Sequence, residues 1–171
     1  MRKFELTTDT KMFLGRKLFR IKALISFGNV RAGDMGGYIE KEENLSQSGN
    51  AWVSGDAWVY GNARVSGNAR VSGDARVSGN ARVSGDAWVY GDAWVSGDAD
   101  YATASGFGSE YRTTTFFKLK NSDEIGVRCG CFYGTLKEFK EKVKETHGET
   151  KKAKEYLMLA DLMEYRFSDG K

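Results

Sequence analysis

The chain has no proline, one histidine and two cysteines among its 171 residues. It also has no stretch of eighteen apolar residues. Each shortage excludes something. Without proline, nothing in the chain interrupts a backbone ladder. Two cysteines cannot build a disulfide framework, and they fit a reduced, cytosolic setting. Without a long apolar span or a charged-then-apolar opening, neither a transmembrane helix nor a signal peptide is expected. The charge is mild: 26 Lys and Arg oppose 23 Asp and Glu, for a net charge of +3. The pI near 8.8 does not argue for a nucleic-acid partner.

What the chain has is glycine, 21 residues of it, strictly spaced. From about Gly49 to Gly106 the sequence repeats every six residues as G-[ND]-A-x-V-[SY]. Gly55-Asp56-Ala57-Trp58-Val59-Tyr60 is followed by Gly61-Asn62-Ala63-Arg64-Val65-Ser66. A short period of this kind means stacked units that bury a shared interior. Val is β-branched and suits an extended segment. Ala, two residues earlier, points to the same side because strand side chains alternate. Ala and Val therefore face inward, while the residue between them and the one after Val face outward. Gly followed by Asn or Asp is corner chemistry.

This repeat resembles the hexapeptide repeat of left-handed parallel β-helices, in which three repeats make one triangular coil. The resemblance implies a mainly β fold with the inward slots Val53, Val59, Val65, Val71, Val77, Val83, Val89 and Val95. Tyr101 and Phe107 fall in the same slot and are expected to plug the end. Wound at 18 residues per coil, the outward positions form columns. One face stacks Trp52, Arg70 and Trp88, with Tyr90 beside them. The next stacks Trp58, Arg76 and Trp94, with Tyr60. The third stacks Arg64, Arg82 and Asp100. An Arg layered between Trp rings at strand spacing is within cation–π range. Such faces are either covered, by terminal segments or neighbouring protomers, or serve to stack flat ligands. A corner column of Asp56, Asp74 and Asp92 is a weak candidate for a hard cation; such residues more often satisfy turn backbones.

Three domains are expected: an N-terminal β segment and cap over 1–44, the β-helix over 45–109, and a tail over 110–171. The cap is expected to close the open end with Gly33–Ile39, since an uncapped end is a pairing edge. In the tail, Tyr111–Lys120 and Ile125–Phe132 read as a hairpin around Asn121-Ser122-Asp123. Thr135 and Glu138 form a capping box for a first helix ending near Thr146, with Leu136, Phe139 and Val143 buried. A second helix, about Thr150–Arg166, is apolar nearly all round, which predicts burial on more than one side.

The functional readings begin with the lone histidine. The best-known relatives of this fold are acyltransferases with a catalytic His as general base between protomers. His147 lies outside the repeat, on a helical face shared with Val143, and reads as a packed or capping residue. Resemblance to the β-helical carbonic anhydrases fails outright, since they need three metal-binding histidines. Cys129 and Cys131, with one distant His, are too few ligands for zinc; they read as two thiols packed beneath a helix. Acidic residues outnumber basic ones in the repeat, so a nucleic-acid track is not expected.

The markers Gly33-Asp34-Met35-Gly36-Gly37-Tyr38, Asn44-Leu45-Ser46, and the tail from Cys129-Gly130-Cys131-Phe132 to Ala160-Asp161-Leu162 resemble phage and prophage hexapeptide-repeat proteins. These are often labelled transferases or polymer-forming proteins. The fold resemblance implies a homotrimer, and the expected setting is a bacterial host cytoplasm, with no cofactor and no membrane. The expected role is non-catalytic binding, as counter-defence: engaging a host protein or sequestering a nucleotide-like signal. An acyltransferase-like enzyme and a purely structural protein are the alternatives. The expected recognition residues are Trp52, Trp58, Tyr60, Arg70, Arg76, Trp88, Tyr90 and Trp94, with Arg64, Arg82, His147, Cys129 and Cys131 as polar candidates.

Overall fold

A computed structural model describes residues 1–108, 110–120 and 122–168. The chain divides into two compact units, Met1–Asp98 and Ala99–Lys171.

The first unit is a β-solenoid. Each hexad contributes one two-residue strand: β4 (Trp52–Val53), β5 (Trp58–Val59), β6 (Arg64–Val65), β7 (Arg70–Val71), β8 (Arg76–Val77), β9 (Arg82–Val83), β10 (Trp88–Val89) and β11 (Trp94–Val95). They pair in parallel with the strand one coil on, Trp52 beside Arg70 and Arg70 beside Trp88. The inward slots are sealed: Ala51 to Ala93 and Val53 to Val95 are at most 1% exposed. The corner glycine is obligatory. Gly73 holds φ +70°, and a Cβ there would sit 2.8 Å from the Gly91 nitrogen.

Three strands precede the repeat: β1 (Phe4–Phe13), β2 (Arg16–Ala23) and β3 (Met35–Ile39). The first two form an antiparallel hairpin, and β2 pairs with β3. β3 then pairs in parallel with β5, setting Tyr38 beside Trp58 and Ile39 beside Val59. The cap predicted over Gly33–Ile39 is thus itself a rung. Leu45 supplies the next inward slot, bridged to Val65. The spacing from Ile39 to Val59 exceeds the regular coil by two residues, both lying between Leu45 and Val53. Buried Asn44 holds this irregular coil. Its amide donates to the carbonyls of Gly61 (3.2 Å) and Ala63 (2.9 Å), and its oxygen accepts from the Glu40 and Lys41 N–H groups.

The second unit carries β12 (Tyr101–Phe107), β13 (Arg112–Lys118), β14 (Ile125–Cys129) and β15 (Phe132–Thr135), then α1 (Leu136–His147) and α2 (Lys151–Phe167). The strands form one antiparallel sheet in chain order. The predicted hairpin is its centre, β13 with β14; Asn121 of its turn lies outside the described residues. Tyr101 and Phe107, which fall on the six-residue count, sit on β12 and pair with β13. After Gly97-Asp98 no Gly-Asx corner follows, so the chain extends rather than turns. Asp100 pairs with Lys118 at 2.9 Å.

The capping box forms as predicted: Glu138 N–H donates to Thr135 Oγ1 (3.2 Å), and Thr135 N–H donates to Glu138 Oε2 (2.8 Å). Leu136, Phe139 and Val143 are buried, and Gly148 ends the helix at φ +57°. α2 starts after the Thr150 cap and buries Ala153, Tyr156, Ala160 and Met163. Leu157, Leu159 and Phe167 pack against the same core, partly buried. Met158, Leu162 and Tyr165 are exposed, so the burial expected of a helix apolar nearly all round leaves one stripe open. No described helix is long and apolar enough to cross a membrane.

Candidate functional site

The columns expected from the repeat are present in register, and they differ in how they are covered. On the second face, β5, β8 and β11 stack Trp58, Arg76 and Trp94. The Arg76 guanidinium lies 4.2 Å from the Trp58 ring centre and 5.2 Å from that of Trp94. Phe13, from β1, closes over them. Its ring is 5.0 Å from Arg76 and edge-on to both Trp58 (5.1 Å) and Tyr60 (5.6 Å). Lys11 adds its ammonium over Tyr38 at 4.4 Å. Arg76 therefore packs against three rings of its own chain.

Tyr38 extends this ladder by one rung. Its hydroxyl donates to Asp9 at 3.3 Å. Burial, followed by the Asp9 charge, holds its pKa above the usual tyrosine value. The sequence reading missed this rung, although Met35-Gly36-Gly37-Tyr38-Ile39 carries the same aromatic-then-branched pair as Trp58-Val59.

On the first face, the N-terminal segment covers the first rung. Phe27 meets Trp52 edge-on at 5.4 Å and leaves it 7% exposed. Arg70 is exposed, with its guanidinium 5.3 Å from the Trp88 ring centre. Trp88 donates its indole N–H to Ser72 Oγ (2.8 Å) and meets Tyr90 edge-on. A cavity of about 510 Å³ opens here, between the Gly28–Met35 loop and the rungs. Its walls are Trp52, Arg70, Trp88, Asn50, Asn68, Ser54 and Ser72, with Asp34 and Met35 at the rim. The Asn50 amide donates to Asn68 at 3.2 Å, and Asn68 donates to Asp86 at 3.1 Å, so a ladder of amides lines one side. The arrangement offers a cation, aromatic edges and amide groups in one open cleft.

The third face is polar. Arg64 and Arg82 stack on adjacent rungs and are exposed. Asp98 takes the place of a further rung by accepting the Arg82 backbone N–H at 2.7 Å. The corner column Asp56, Asp74 and Asp92 does not gather into a cation site. Asp56 faces Lys11 at 3.8 Å, and no cluster of three metal-ligating side chains occurs among the described residues.

The tail candidates belong to the second unit. His147 ends α1 with its ring stacked on Tyr156 (centroids 6.0 Å apart). Burial, then Cys129, pushes the Tyr156 phenol up to about 12, and its hydroxyl donates to the Phe107 carbonyl. Cys129 and Cys131 do not share a strand face. Gly130 turns the chain at φ +57° between them, so Cys129 packs on the core at the end of β14 while Cys131 is exposed. The Thr114 hydroxyl donates to the Cys129 sulfur at 3.1 Å.

No curated protein matches the chain. Residues 57–73, 63–79 and 75–91 each match the YdcK beta solenoid repeat, so the chain is a repeat-built β-solenoid protein.

Proposed function

We propose that the chain is a non-catalytic, homotrimeric binding protein of phage or prophage type, with its ligand cleft on the first solenoid face. The observation that carries this reading is the contrast between two like ladders. The Trp58–Arg76–Trp94 ladder is filled by Phe13 of its own chain. The Trp52–Arg70–Trp88 ladder faces an open cavity of about 510 Å³. An exposed guanidinium beside aromatic edges and amides suits a flat ligand that carries negative charge. A nucleotide-like signal of the host fits that description, and the phage resemblance makes counter-defence its natural context. The trimer rests on the fold resemblance.

Native mass spectrometry of the protein from its bacterial host tests both parts. A trimer retaining a nucleotide-like mass is expected. Arg70→Ala and Trp88→Ala should keep the trimer and lose that mass, whereas monomers from either variant would make the first face an interface instead. Acetyl-CoA turnover lost in His147→Ala would replace the binding reading with an enzymatic one.

A further inference from the structure

Helix α2 seats Ala153, Tyr156, Ala160 and Met163 in the core of its unit. A second apolar stripe is left in solvent: Met158 is 71% exposed, Leu162 54% and Tyr165 81%. Single exposed apolar residues are ordinary. These three recur at i, i+4 and i+7, which aligns them on one helix face. That spacing is also the anchor pattern by which a helix face meets a partner.

The surrounding charges decide what kind of partner fits. Lys154 lies one turn before Met158, Lys151 two turns before it, and Arg166 one turn after Leu162. None of the three makes an ion pair among the described residues. Glu155 is the carboxylate on the stripe. Asp161 and Glu164 border it, but Lys140 of α1 already holds both, at 2.9 and 2.8 Å. The stripe is therefore apolar in the middle and basic at its ends. A second copy laid antiparallel, with Met158 on Leu162, would set Lys154 against the partner's Arg166. A parallel copy would set Lys151 and Lys154 against their own equivalents. Like charges in register oppose both pairings. A segment that borders its apolar residues with carboxylates satisfies all three cations.

We propose that this face of α2 is a docking surface for an acidic amphipathic segment of another protein. Its apolar residues would cover Met158, Leu162 and Tyr165, and its carboxylates would meet Lys151, Lys154 and Arg166.

The test uses the full chain and a fluorescein-labelled helical peptide, with leucines at alternating three- and four-residue spacing bordered by glutamates. A twin with lysines in place of the glutamates is the control. In anisotropy titrations the glutamate peptide should bind at least about tenfold more tightly than its twin, and more weakly as salt rises. Leu162→Glu should weaken binding about tenfold or more with unchanged circular dichroism, because Leu162 touches no core. Lys154→Glu should narrow the preference between the two peptides. Equal binding of both peptides, or binding of neither, overturns the proposal. So does Leu162-dependent self-association in analytical ultracentrifugation, or Leu162-dependent binding to phosphatidylglycerol vesicles.

Discussion

Lys3 is a buried amine, and its placement makes a quantitative prediction. Along the solenoid, each outward residue donates its N–H to the carbonyl one coil on, as Trp52 does to Ala69 at 3.0 Å. The first rung of that face has no strand before it, so the Ala51 carbonyl lacks a strand donor. The Lys3 ammonium fills the place, donating to Ala51 O at 2.8 Å and reaching Gly49 O at 3.5 Å. The residue is 1% exposed, with its charge 4.9 Å from the Phe27 ring centre. Burial lowers its pKa from 10.5 to about 8. At 1.36 kcal/mol per pH unit, burying the charged form costs at most about 3.4 kcal/mol. The two carbonyls favour the charged form, which makes this figure a ceiling.

The sign follows from proton counting. Below pH 8 both folded and unfolded chains hold the proton, so stability carries the full cost. Between about 8 and 10.5 only the unfolded chain still binds it, so stability rises with pH. Near pH 10 the recovered amount is roughly 2.5 kcal/mol. Urea unfolding followed by tryptophan fluorescence isolates the effect, because all four Trp lie in the first unit. Other groups titrate in the same range, so the quantity to read is the gap between the native protein and Lys3→Met. It should shift toward the native protein by roughly 2 kcal/mol from pH 7 to pH 10. A gap that stays flat within about 0.5 kcal/mol would refute the assignment of a buried, charged Lys3.

Two further outcomes test the ladders and the tail. Arg76→Ala should destabilise the first unit by about 1–2 kcal/mol, because its guanidinium packs on Trp58, Trp94 and Phe13. Arg70→Ala, with one ring contact and an exposed side chain, should cost less than about 0.5–1 kcal/mol; equal losses in urea titrations would mean that the first face is as closed as the second. Thr135→Ala should cost the second unit about 1 kcal/mol, read from the loss of helical circular dichroism with temperature, because it removes the cap on the Glu138 N–H.

The solenoid was legible because its information is local. The Gly-Asx corner and the Ala-x-Val strand recur within six residues, and the parallel register then follows from stacking alone. The ends of the solenoid were not legible, for the opposite reason. Ile39 and Leu45 occupy inward slots without the Gly-Asx-Ala grammar, and buried Asn44 supplies by side chain what the corner normally supplies by backbone. Lys3 closes a rung from nearly fifty residues away. At the other end, Tyr101 fits the six-residue count, but the corner that should follow is missing and the chain runs on into β12. A period can be counted through a position where the turn chemistry has already stopped; the corner residues, more than the inward ones, mark where a solenoid ends.

The same limit governs the site. The repeat sorts Trp, Arg and Tyr onto two faces and treats those faces as equivalent, since both read Trp-Arg-Trp. What separates them comes from residues outside the repeat. Phe13 and Lys11 on β1 fill one ladder, whereas Phe27 covers the first rung of the other. The hairpin's reach depends on strand length and bend in a segment with only partial alternation, so no spacing rule assigns Phe13 to Trp58. The α2 stripe shows the converse. Composition alone reads it as core, because Leu, Met and Tyr surround the helix. One face of a helix can be sealed by a sheet and a neighbouring helix, and α2 has those partners on one side only. An apolar residue count therefore overstates burial wherever the number of packing partners, rather than the helix's own pattern, is limiting. The three residues left over are where this chain can still bury surface by meeting something else.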